Sequence, residues 1–140
     1  MSNALYAQGR ERFLGHTTEG ISWINDTIKC SLVSSSYTPS AATHTYLSSI
    51  TAHTGSTTAF TLVTKTATTG TADAGDATFS TVAANSVWNY VVIWKEVAAG
   101  TIATSPLIAV LDTATGLPVT SSGGDIIIQW DNGANKIFTL

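Results

Sequence analysis

The chain has 140 residues, of which only 11% are charged, and six Lys or Arg against nine Asp or Glu leave a formal charge of -3 at pH 7. An ordinary soluble domain is about 25% charged, whereas here Thr and Ser together exceed a quarter of the residues. The cations form no basic patch, which argues against nucleic acid as a principal partner, and the single cysteine, Cys30, excludes an intrachain disulfide.

This length predicts one β domain over 1–140, with a helix or arm over 1–15 and an antiparallel β-sandwich or barrel over 20–140. Thr-rich, charge-poor sequence with several Trp and Tyr suits pleated sheets, where β-branched and aromatic side chains pack well. Net charge helps keep proteins apart, so a surface this neutral suits a subunit packed against other subunits.

Ser2 to Gly15 is the one helix candidate: Ser2 or Asn3 as N-cap, Leu5, Tyr6, Phe13 and Leu14 near one stripe, and Gly15 at the C-cap. Gly20 to Trp23 and Thr27 to Val33 read as strands around a turn at Asn25-Asp26. Alternation puts Ile28, Cys30 and Leu32 on a buried face, which makes Cys30 an inert thiol lacking a thiolate-stabilising neighbour. A polar loop follows through Pro39, then a short helix or crossing segment anchored by Tyr46, Leu47 and Ile50. Thr57 to Thr71 predicts a strand with one solvated face. Asp73 to Asp76 is a turn before a strand over Ala77 to Val82.

Val87 to Glu96 is the expected central strand, with Val91 and Ile93 on one face and Trp88, Tyr90, Val92 and Trp94 on the other. Both faces are apolar, so both are covered, or one meets a partner subunit. Pro106 to Asp112 is a further strand, and Thr115 to Pro118 a turn or bulge. The last stretch reads as a β-hairpin: Ile126 to Ile128, a turn over Asp131-Asn132-Gly133-Ala134, and a closing strand Lys136 to Leu140. A C-terminus ending on Phe138 and Leu140 is expected to be tied into a sheet.

No catalytic signature accompanies this pattern. The sequence contains no nucleophile elbow and no phosphate loop, because Gly123-Gly124 precedes a strand where a phosphate cradle opens a helix. His16, His44 and His53 lack the i, i+4 spacing of helical zinc ligands and read as surface histidines. Asp73, Asp76 and Asp131 supply carboxylates at turns, which calcium would accept and which also cap turns without metal. No apolar h-region and no run of about 18 apolar residues occur, so the chain is expected to be made in the cytoplasm, without a membrane partner. Trp88, Tyr90 and Trp94 would suit a core, a subunit interface or a sugar-stacking row.

Several segments carry a resemblance: Asn3 to Leu14 (NALY, GRERFL), Ile21 to Lys29 (ISWINDTIK), Ala72 to Ser80 (ADAGDATFS) and above all Leu107 to Leu140 (LIAVLDTATGLPVTSSGGDIIIQWDNGANKIFTL). Together they resemble a family of small structural proteins of tailed bacteriophages and prophages, over nearly the whole chain. The resemblance implies a virion component without enzymatic activity or cofactor, most naturally a capsid decoration (cement) protein. Its partners would be the major capsid protein or other virion subunits, and its assembly a homo-oligomer, a trimer being favoured. The interface expected on this reading comprises Leu5, Tyr6, Arg10, Arg12 and Phe13 of the N-terminal segment with Trp88, Tyr90 and Trp94 of the central strand. A tail, neck or baseplate component, or a carbohydrate-binding adhesion module using the aromatic row, are the alternatives.

Overall fold

In a computed structural model, the structure describes residues 3–15, 18–50, 59–97 and 102–140. The expectations placed on Ser2, His16 and His53, and the start of the strand expected from Thr57, lie outside these residues. The fold is all-β, mostly antiparallel strands with one short helix, and is sandwich-like.

The main sheet runs in the order β1 (Ala4–Leu5), β8 (Leu107–Leu111), β7 (Val87–Lys95), β2 (Ile28–Ser34), β3 (Phe60–Thr61), with β9 (Val119–Thr120) also on β7. Its central position explains why β7 is apolar on both faces: a strand covered twice cannot alternate with polar residues. Two smaller sheets accompany it among the described residues, β10 (Ile126–Ile128) with β6 (Ala77–Phe79), and β11 (Phe138–Thr139) with β5 (Thr71–Asp73) and β4 (Thr66–Thr68).

Two cores flank the main sheet. In the larger, Ile28, Cys30, Leu32, Val91 and Ile93 pack with Ala77, Phe79, Ile126, Ile128 and Phe138 of the small sheets. In the smaller, Val33, Val92, Trp94 and Leu107 pack with Tyr6, Tyr37, Leu47 and Ile50. The expected crossing segment is a 3-10 turn at Leu47–Ser49, anchored by its buried Leu47 and by Ile50.

Several sequence expectations are corrected. The helix is confined to α1 (Ala7–Phe13), with Tyr6 at its N-cap and no side-chain cap. Asn3 cannot cap it: its Oδ1 accepts the N–H of Asp112 at 2.9 Å and its Nδ2 donates to Thr113 Oγ1 at 2.7 Å, pinning β1 to the end of β8. Since the helix stops at Phe13, Leu14 falls off the buried stripe and is 86% exposed. Gly20 to Trp23 is no strand; Trp23 begins a turn that closes with the Asp26 N–H on the Ser22 carbonyl.

The C-terminal hairpin is not formed. β10 pairs with β6 and β11 with β5, in different sheets. Asp131 Oδ1 accepts the Gly133 N–H at 3.0 Å, a local side-chain turn that competes with the main-chain hairpin turn. Just upstream, the Trp130 N–H donates to Asp76 Oδ1 at 3.2 Å and its indole N–H to the Gly75 carbonyl at 2.9 Å, holding the chain against the β5–β6 connection. A two-residue hairpin occurs instead at β4–β5, where Thr68 pairs Thr71 around Thr69 (φ 50°) and Gly70 (φ 79°), the paired positive φ of a type I′ turn. The C-terminal residues are nevertheless tied down, with Phe138 opposite Ala72 and the Leu140 N–H on the Gly70 carbonyl.

Candidate interaction surface

The eight side chains expected to form an interface do not lie together on the surface. Tyr6 (0%), Arg12 (2%), Trp88 (2%) and Trp94 (5%) are all but inaccessible. Leu5, Phe13 and Tyr90 are half-buried, the first two against the larger core and Tyr90 against the smaller, and only Arg10 is exposed. The expected aromatic row does not exist either. Opposite β2 the register slips by one at Asn89, so Trp88 joins Val91 and Ile93 in the larger core while Trp94 stays with Val92 in the smaller. A second slip, at Ile108 of β8, lets Trp94 face Leu107. None of the described Phe, Tyr or Trp residues is exposed, so a stacking platform for sugars has no counterpart among them.

What the N-terminal segment builds is an internal clasp. Arg12 Nε and Nη2 donate to Glu19 Oε2, and Nη2 also donates to the Tyr46 hydroxyl at 3.1 Å. The Tyr46 O–H in turn donates to the Glu19 carboxylate, 3.0 and 2.9 Å from its two oxygens. The guanidinium lies 5.1 Å from the Tyr46 ring centroid, within cation–π range. The hydrogen bond to Glu19, more than burial, pushes the Tyr46 hydroxyl above its ordinary pKa. In a second group, the Tyr6 and Tyr37 hydroxyls are 2.8 Å apart and Tyr37 meets His44 Nδ1 at 2.7 Å. His44 is therefore half-buried and bonded, a correction to its reading as a surface histidine. Burial, reinforced by Tyr37, pushes the Tyr6 hydroxyl well above its usual range.

Most remaining cations are similarly committed. Lys29 pairs Glu96 at 2.8 Å, Lys95 pairs Asp26 at 3.0 Å, and Lys136 lies 3.6 Å from Asp73. Lys65 donates to the Asp26 carbonyl, and its burial lowers its pKa against the opposing pull of the Asp26 charge. The turn carboxylates are occupied as caps: Asp73 Oδ1 takes the Ala74 N–H at 2.9 Å, and Asp76 Oδ1 takes that of Trp130. No group of three or more His, Cys, Asp or Glu that could hold a metal ion occurs among the described residues. Cys30 is fully buried, which raises its thiol pKa far above the ordinary value and makes it unreactive.

The accessible features are different ones. Leu14, Val63, Ile127 and Leu140 each expose half or more of their surface, Ile127 because alternation along β10 turns Ile126 and Ile128 inward. A groove of about 590 Å³ runs between β1 and β11, over Ala109 and Leu111 of β8. Composition had no means of locating it, since its walls are 100 residues and more apart in the chain. Comparison of this chain with models of known protein families, with curated proteins and with solved structures finds no match in any of the three.

Proposed function

We propose that this protein is a structural virion subunit that binds the assembled capsid lattice as a decoration (cement) protein. The observation that carries the reading is the contrast between charged and polar side chains largely committed to internal hydrogen bonds and ion pairs and a charge-poor exterior bearing Leu14, Ile127 and Leu140. Most of the polar side chains able to do chemistry are spent on the clasp, the ion pairs and the turns, while the surface keeps apolar contact points. Such a surface sheds little hydration on docking, and desolvation of charge is the main penalty at a crowded interface. The resemblance of the sequence to phage structural proteins supports the same reading.

The mechanism is linkage. A subunit that binds the closed lattice and not free coat protein stabilises the shell by about 2.7 kcal/mol per site at a free concentration 100 times its Kd. A homotrimer at threefold positions satisfies every interface by closed symmetry. The docking residues on this reading are Arg10 and Leu14, at the exposed end of α1, in place of the buried Tyr6, Arg12, Trp88 and Trp94.

Co-sedimentation with purified capsids tests it. The parent protein binds at a copy number in the hundreds, and Leu14→Asp with Arg10→Glu weakens binding at least tenfold while the fold is retained. A low copy number would instead assign the protein to the tail, neck or baseplate. Deleting residues 2–15 is not a suitable test, because it removes buried Tyr6 and the edge strand β1.

A further inference from the structure

We propose that the groove between β1 and β11 receives an extended, uncharged polypeptide segment of a different protein as an added β-strand. Both walls are sheet edges: β1 ends the main sheet and β11 ends the three-stranded sheet. In an antiparallel ladder, residues alternate between bonding the neighbour and pointing away from it. The Tyr6 N–H bonds the Ile108 carbonyl at 2.9 Å, so one residue earlier the N–H and C=O of Leu5 point away from β8. Likewise the Leu140 N–H bonds the Gly70 carbonyl at 2.9 Å, and the main chain of Thr139 points away from β5. Leu5 and Thr139 both line the groove.

An exposed edge of this kind is a template for another strand, because main-chain donors and acceptors recognise main chain whatever its side chains. Charge decides which strand. The groove's charged side chains are Asp131 and Lys136, of opposite sign, so its lining is formally neutral. A segment of either sign then meets repulsion as well as attraction there, and an uncharged one sheds the least hydration on entering. Leu111 and Phe138 in the lining supply apolar contact for its inward side chains. This deepens the docking function proposed above and rests on it only for the identity of the partner.

The test is titration of isotope-labelled protein with an acetylated, amidated seven-residue peptide alternating Thr and Val. The amide resonances of Leu5 and Thr139 are expected to shift, and their hydrogen exchange to slow at least tenfold. The same peptide N-methylated at alternate residues should leave them unchanged. Equal binding of both peptides, shifts confined to other surfaces, no shift at millimolar peptide, or full protection of both amides in the free protein would each overturn the proposal. Leu5→Pro removes the outward N–H without breaking a bond to β8, and should abolish the response at β1. A dimer of the free protein dissolved by that change would show that a second copy fills the groove, against the proposal. Peptide docking without lattice binding would sink the capsid reading alone, and lattice binding undiminished by saturating peptide would sink the groove alone.

Discussion

Trp88 and Trp94 stand six residues apart on one strand, an even spacing, yet they lie in different cores on opposite faces of the main sheet. The extra residue at Asn89 is the cause: a β-bulge inverts the facing of everything beyond it. Replacing either Trp by Ala should therefore cost about 3–5 kcal/mol in a denaturant melt, as core truncations do. Deleting Asn89 should cost a similar amount by turning Trp88 away from its core. Wild-type stability in these variants, with binding lost instead, would return both tryptophans to the surface.

Gly9 is held hard against β8. A Cβ built on it would lie 2.6 Å from the Leu107 carbonyl oxygen and 3.1 Å from the Ile108 Cα, both main-chain atoms. In an exposed helix Gly→Ala gains about 1 kcal/mol; here overpacking outweighs that gain, and Gly9→Ala should destabilise by about 2 kcal/mol net. A raised melting temperature would show that α1 stands off the sheet.

The clasp makes an asymmetric prediction. Glu19→Gln leaves the buried Arg12 guanidinium without its countercharge and should cost about 2 kcal/mol, less than the scale for a wholly buried pair because the Glu19 side chain is 32% exposed. Arg12→Met combined with Glu19→Gln should cost less than Glu19→Gln alone, because the stranded charge is gone. Chemical denaturation of the wild type, both single variants and the double variant checks this, and additive losses would show that the pair contributes nothing as a pair.

Asp26 provides the acid dependence. Desolvation, the largest single influence, raises its pKa, but the Ser22 N–H at 2.7 Å and the Lys95 ammonium together hold it below the ordinary 3.8. A depressed folded-state pKa contributes stability that is fully present above the unfolded value and is lost as pH falls through the folded one. Asp26→Asn should therefore be less stable than wild type by about 1 kcal/mol at pH 7, with the gap closing below about pH 4. A gap constant down to pH 2 would mean the carboxylate's charge is not involved.

Strand existence was legible where burial enforces it locally, but Gly20 to Trp23 forms no strand and the strand expected over Thr57 to Thr71 breaks between β3 and β4. Alternation marked Ile28, Cys30 and Leu32, and the doubly apolar run marked β7 as covered on both faces. Interface residues were misread for the same reason: a Trp or Arg looks alike in sequence whether it faces solvent or core. Pairing was not legible, since ladder bonds join residues that chain distance does not relate. Asn132-Gly133 carries the strongest local hairpin signal in the chain, but Asp131 closes its own turn there and Trp130 binds the loop at Gly75.

Length, charge and hydrophobic period thus determined on their own that this is an all-β chain with a charge-poor exterior, because those properties act residue by residue. Which strands meet, where the bulges at Asn89 and Ile108 turn Trp88 and Trp94, and that β1 and β11 face one groove were decided only by tertiary structure. Hydrogen-bond register and close packing are relations between distant segments, and they are settled only when the cores close.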